Sequence, residues 1–166
     1  MNSVTASIPA KVLLVDDEEQ QLELRAYVLR MSGYSVFTAT DPLQALTLAR
    51  RIEGLDFAIL DYEMPTMNGG LLARQFKANF PKLIVILYSA AVGIPSRALD
   101  MVDAFIPKGE NVTALLQYLA TVSADATGHR YRPEAAAPYD NSESPPQLGC
   151  CYKALFRDVR RHRSQC

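Results

Sequence analysis

Nowhere does the chain carry an apolar run approaching the roughly 20 residues that a membrane-spanning helix needs. Its opening stretch, Met-Asn-Ser-Val-Thr-Ala-Ser-Ile-Pro, also lacks the basic start and long apolar core of a secretory signal. Cysteine is scarce. Cys150, Cys151 and Cys166 all fall near the C-terminus, an odd number at a spacing that fits neither a zinc site nor a disulfide framework. Together these absences point to a cytoplasmic protein. The two histidines, His129 and His162, have no metal-binding or catalytic neighbours in the sequence, so neither a metal nor a phosphotransfer role is expected of them. Charge of one sign is missing too: the formal net charge is −1, which gives no overall pull toward nucleic acid or anionic lipid. No internal repeat is present.

What is there is a soluble, core-forming composition, 49% apolar and 21% charged over 166 residues. That length suits one domain plus an appendage. The pattern of strand and helix signals runs unbroken to about residue 122. Residues 11–15 form a short apolar run that ends abruptly in Asp16, Asp17, Glu18 and Glu19. Residues 20–31 place Leu22, Ala26, Val28 and Leu29 on a helical face, with Gly33 as the stop. Residues 35–39 are β-branched and aromatic. Asp41-Pro42 then supplies an N-cap and a first-turn proline for a helix whose stripe is Leu43, Leu46, Ala49 and Ile52.

The alternation continues with a strand at 57–60 ending in Asp61, a helix at 70–80 and an apolar strand at 83–87 leading to Tyr88 and Ser89. A short helix at 95–102, a strand at 104–106 and a helix at 111–122 with Leu115, Leu116 and Leu119 inward complete it. Near-continuous apolar strands alternating with helices predict an α/β fold: a doubly wound, five-stranded parallel sheet covered by helices on both faces. In such sheets ligands gather at the carboxyl ends of the strands, where the winding reverses. Asp16, Asp17, Asp61, Ser89 and Lys108 all fall at predicted strand ends and should therefore share one edge.

Three carboxylates brought together without basic partners would repel one another, and a hard divalent cation such as Mg²⁺ is the natural remedy. Lys108 adds a compact positive charge and Ser89 a hydroxyl. Carboxylates, metal, lysine and hydroxyl together suit phosphoryl transfer to a carboxylate.

The ordered set Asp16-Asp17, Asp61-Tyr-Glu-Met64-Pro65-Thr-Met-Asn-Gly69, Ser89-Ala90 and Phe105-Ile-Pro-Lys108 resembles the receiver domain of bacterial two-component response regulators, the CheY-like family. The resemblance covers roughly residues 10–122. It implies a flavodoxin-like fold with Asp61 as phosphoacceptor, and Mg²⁺ held by Asp17, Asp61 and the Glu63 carbonyl, with Asp16 orienting a bound water. It further implies Lys108 paired with the phosphoryl group, and Ser89 and Phe105 as switch residues. The donor would be a sensor histidine kinase or a histidine phosphotransfer protein, and the output a protein–protein contact through residues 95–108. The downstream target stays unknown, and a phosphorylation-dependent homodimer is one allowed form. Such a module catalyses only its own phosphorylation and dephosphorylation and is not otherwise an enzyme.

Two departures stand out. Pro107 precedes Lys108 and Gly109 follows it, where the family usually has proline after the lysine. Glu63 lies two residues past the acceptor and Ala91 two past Ser89, so the lifetime of the phosphoryl group is expected to depend on Glu63 and to change in Glu63→Asn. The rival readings are a pseudo-receiver that acts as a constitutive interaction module without phosphorylation, and a hydrolase forming an aspartyl-phosphate. The second would need a cap or substrate pocket that the pattern does not supply.

The expected organisation is an N-terminal extension at 1–9, the receiver at 10–123, a flexible Pro-containing linker at 124–148 and a short basic tail at 149–166. In the tail Leu155, Phe156 and Val159 lie among Lys153, Arg157, Arg160, Arg161 and Arg163, a pattern that can form a helix or remain disordered. It is too short for a helix-turn-helix output domain, so direct DNA binding is not expected.

Overall fold

The computed structural model of the chain describes residues 9–108 and 112–127. Ten elements alternate: β1 (Lys11–Val15), α1 (Glu19–Met31), β2 (Ser35–Ala39), α2 (Pro42–Arg51), β3 (Phe57–Leu60), α3 (Gly69–Asn79), β4 (Ile84–Ser89), α4 (Ser96–Leu99), β5 (Ala104–Pro107) and α5 (Val112–Thr127). The strands form one parallel sheet in the order β2-β1-β3-β4-β5. The doubly wound sheet is thus as the sequence predicts.

Alternation along each strand divides the core into two layers. Val12 and Leu14 of β1 face Leu22, Ala26 and Leu29 of α1 and Leu115, Tyr118 and Leu119 of α5. Leu13 and Val15 face the other way, toward Ala45, Leu46 and Ala49 of α2 and Leu72, Ala73 and Phe76 of α3. A strand buried on both sides cannot alternate polar and apolar residues, which is why these runs are continuously hydrophobic.

Local chemistry sets the helix starts. The Asp41 carboxylate accepts from the amides of Leu43 and Gln44, both at 2.9 Å, with Pro42 at the first helical position. That cap fixes the phase of α2 so that Pro42, Ala45, Leu46 and Ala49 point inward. Leu43, expected in the stripe, is 67% exposed instead, and Ile52 already lies beyond the helix end. In α5 Leu115 and Leu119 are buried as expected, while Tyr118 is buried and Leu116 only half-buried. The α4 helix is a single turn, shorter than the 95–102 predicted. The chain is drawn back early because the Asp103 carboxylate accepts from the Val85 amide at 2.7 Å and pairs with Lys77 of α3.

Burial, reinforced by the nearby Asp103 charge, pushes the Tyr118 phenol from 10.0 to about 12. The native state therefore holds this proton more tightly than the unfolded chain. The resulting stability is complete below pH 10 and is lost as pH rises toward 12. Urea unfolding across that window should show wild type losing about 2 kcal/mol more than Tyr118→Phe.

Residues 124–127, expected to open the linker, instead continue α5, because the helix runs on to Thr127. Residues 1–8 of the N-terminal extension, the rest of the linker and the basic tail lie outside the described residues, as do Gly109 and both histidines. Among the described residues no helix is long and apolar enough to cross a membrane.

Candidate functional site

The strand order places β1 beside β3, with β2 wound to one side and β4 and β5 to the other. This is the switch in winding direction, and it brings the residues that follow β1 and β3 together. The ladder continues one step past the strands: the Asp16 amide donates to the Ala39 carbonyl at 3.2 Å and the Asp61 amide to the Val15 carbonyl at 2.9 Å. Those bonds fix both aspartates at the carboxyl edge. Asp16 is 2% exposed and Asp61 8%, while Asp17 reaches solvent.

Every oxygen of the two buried carboxylates has a partner. Asp16 Oδ1 accepts from the Glu18 amide at 3.0 Å, and Asp61 Oδ1 from the Tyr62 amide at 2.7 Å. Lys108 Nζ stands between the remaining oxygens, 2.8 Å from Asp16 Oδ2 and 2.8 Å from Asp61 Oδ2. Asp16 Oδ2 also receives Arg25 Nη1 from α1. Lys108, expected at this edge to meet a further anion, thus pairs with the carboxylates themselves, and Arg25 joins it. Buried ion pairs persist only when their remaining lone pairs are satisfied, and two cations meet that demand here.

Asp16, Asp17 and Asp61 each offer an oxygen within 4.8 Å of the others. An all-oxygen set of three carboxylates fits a hard divalent ion. Both oxygens of Asp16 and of Asp61 are already engaged, so the exposed Asp17 is the freest donor of the three.

Lys108 is positioned by the end of β5, where its amide donates to the Ser89 carbonyl at 3.0 Å. Ser89 is 1% exposed, and its hydroxyl accepts from the Ala91 amide at 3.3 Å. Phe105 is half-buried and packs against the α2/α3 core layer. Glu63 is exposed, and Met64 is buried below it. The loop after Asp61 closes through the Gly69 amide, which donates to the Tyr62 carbonyl at 2.9 Å, and Asn68 caps α3 through the Leu71 amide at 3.0 Å.

Asp16, Asp17, Asp61 and Lys108 are thus brought into one cluster. Ser89 joins it through the Lys108 backbone, and Phe105 stands two strand positions before Pro107 on the same edge strand. Sequence reasoning missed Arg25. The available signal was a lone cation three residues after Leu22 and one before Ala26, on the flank of a buried helical stripe beside an acidic strand end.

Comparison with known proteins agrees with this fold. The model of the response regulator receiver domain matches residues 12–120. A putative two-component response regulator of Arabidopsis thaliana, ARR21, is 35% identical over 106 residues, which cover 63% of this chain and 17% of that protein. The transcriptional regulatory protein GlrR of Escherichia coli is 34% identical over 130 residues, covering 75% of this chain and 29% of that protein. The chain therefore spans less than a third of the length of either relative. Among solved structures, the response regulator TrrA of Thermotoga maritima, in complex with Mg²⁺ and BeF, superposes with a TM-score of 0.64 at 27% identity, covering 68% of this chain and 98% of that one.

Proposed function

The chain belongs to the response regulator receiver family of two-component systems, and on that premise we propose that Asp61 accepts a phosphoryl group from a sensor histidine kinase or a histidine phosphotransfer protein. The observation that carries this reading is Lys108 Nζ, 2.8 Å from both Asp16 and Asp61 at the winding switch of the sheet. An Asp61 oxygen attacks phosphorus, the P–N bond of the donor breaks, and its electron pair returns to the imidazole. The Tyr62 amide holds Asp61 Oδ1 and so orients the carboxylate. Lys108 neutralises charge on the incoming phosphoryl oxygens, which must be stabilised by groups already in place. Mg²⁺ at Asp17, Asp61 and the Glu63 carbonyl, with Asp16 adjacent, would supply further neutralisation of those oxygens.

Once phosphorylated, the site carries new acceptor oxygens beside Ser89. The Ser89 hydroxyl exchanges the Ala91 amide for the phosphoryl group, Phe105 turns further into the α2/α3 layer, and the surface formed by residues 95–108 changes shape for a protein target. The single-turn α4 makes that surface small. The reading places the protein in the cytoplasm, with no turnover beyond its own phosphoryl group. NMR titration with fluoroberyllate and Mg²⁺ tests it. Amide shifts at Ser89, Phe105 and Lys108 should appear only when both are present and be absent in Asp61→Ala. A spectrum insensitive to the pair would favour a constitutive interaction module.

A further inference from the structure

Arg25 has no part in the reading above, yet it is among the most tightly held cations of the fold. Its side chain is only 12% exposed. The guanidinium pairs with Asp16 Oδ2, Nη2 donates to Gln21 Oε1 at 3.3 Å, and Cζ lies 5.4 Å from the centroid of the buried Tyr88 ring. Tyr88 immediately precedes Ser89 on β4. Stacking on an aromatic face and a fixed fork geometry hold the guanidinium where it is, and an arginine cannot escape the pairing by losing its proton.

We propose that Arg25 is a resident counter-ion that weakens Mg²⁺ binding to the resting site and makes tight metal binding depend on the phosphoryl group. The inference rests on the phosphoacceptor reading and follows from charge. At rest Asp16, Asp17 and Asp61 face Lys108 and Arg25, a net charge of one negative. A divalent ion alone drives the cluster to one positive. Metal plus a phosphorylated Asp61, which carries about two negative charges, brings it to neutrality. Without Arg25 the same three states are two negative, neutral and one negative, so metal alone becomes the balanced state. Arg25 thus moves the electrostatic optimum from the metal-loaded resting site to the site holding both metal and phosphoryl group. Its grip on Asp16 also adds a second cation to an oxygen that Lys108 already engages.

Calorimetric titration of the full chain with MgCl₂, with and without saturating fluoroberyllate, tests this. Relative to wild type, Arg25→Met should bind Mg²⁺ alone roughly tenfold tighter, and fluoroberyllate should enhance its Mg²⁺ affinity by about tenfold less. Arg25→Lys keeps the charge and should stay close to wild type on both measures. If Arg25→Met unfolds, Arg25→Gln removes the same charge and takes its place. A neutral variant with wild-type circular dichroism and an unchanged Mg²⁺ affinity would overturn the proposal. So would a lysine variant that behaves like methionine, since geometry and not charge would then be at work. Absence of Mg²⁺ binding in wild type and all variants would sink the metal reading of the site itself, and this inference with it.

Discussion

Replacing Lys108 with alanine is expected to slow phosphoryl uptake from acetyl phosphate by about a hundredfold, the scale seen when one preorganised charge-stabilising group is removed. The reason lies in what Lys108 touches. Its ammonium is 2.8 Å from one oxygen of each buried aspartate, so it already stands where charge on a transferring phosphoryl group must be met. No other cation among the described ion pairs reaches Asp61; Arg25 reaches only Asp16. The fold should survive the change, because the amides of Glu18 and Tyr62 and the Arg25 guanidinium still engage the two carboxylates. Removing one partner of a buried charge is nonetheless costly. Lys108→Ala should therefore lose stability in metal-free buffer and regain more of it than wild type on adding Mg²⁺, as linkage requires of an ion that binds only the native state. Acetyl phosphate kinetics and urea unfolding at two Mg²⁺ concentrations read both effects. An uptake rate within threefold of wild type would remove Lys108 from the chemistry.

Much of this site was legible in the sequence because a parallel sheet converts chain order into spatial position. Acids after β1 and β3, a serine at the end of β4 and a lysine after β5 must share an edge once the strands are parallel, whatever the side chains do next. Helix phase was harder. Leu43 looks like part of the α2 stripe, but the Asp41 cap sets the rotation that leaves it in solvent. The length of α4 was not legible either, since it depends on the Asp103 contacts to Lys77 and Val85, which join residues distant in sequence. Arg25 was missed for a related reason. Its role comes from contacts with Asp16 after β1 and Tyr88 of β4, which apolar periodicity does not report.

The largest effect on stability is expected at Gly69. A Cβ there would lie 2.1 Å from the Asp61 carbonyl oxygen and 2.9 Å from Leu87 Cδ2. The first is backbone of the strand-end residue that carries the site, so it cannot give way as a flexible side chain would. The Gly69 amide is meanwhile bound to the Tyr62 carbonyl at 2.9 Å, which pins the glycine against β3. Gly69→Ala should therefore cost at least 3 kcal/mol by urea unfolding, at the severe end for a single substitution. It should also weaken Mg²⁺ binding, because relieving the clash displaces the loop that carries Glu63. Gly54 gives the contrast: an added Cβ there meets nothing within 4 Å, although its φ of +65° favours glycine. Gly54→Ala should cost only about 1 kcal/mol, through backbone strain alone. Equal losses at the two positions would remove steric closeness to Asp61 as the cause.

The central claim, that Asp61 takes a phosphoryl group, is tested most directly by intact-mass spectrometry after incubation with acetyl phosphate, with and without Mg²⁺, on wild type and Asp61→Ala. The predicted result is a Mg²⁺-dependent mass gain of one phosphoryl group in wild type and none in the variant. An unmodified wild type at early time points, or equal gain in the variant, would contradict it.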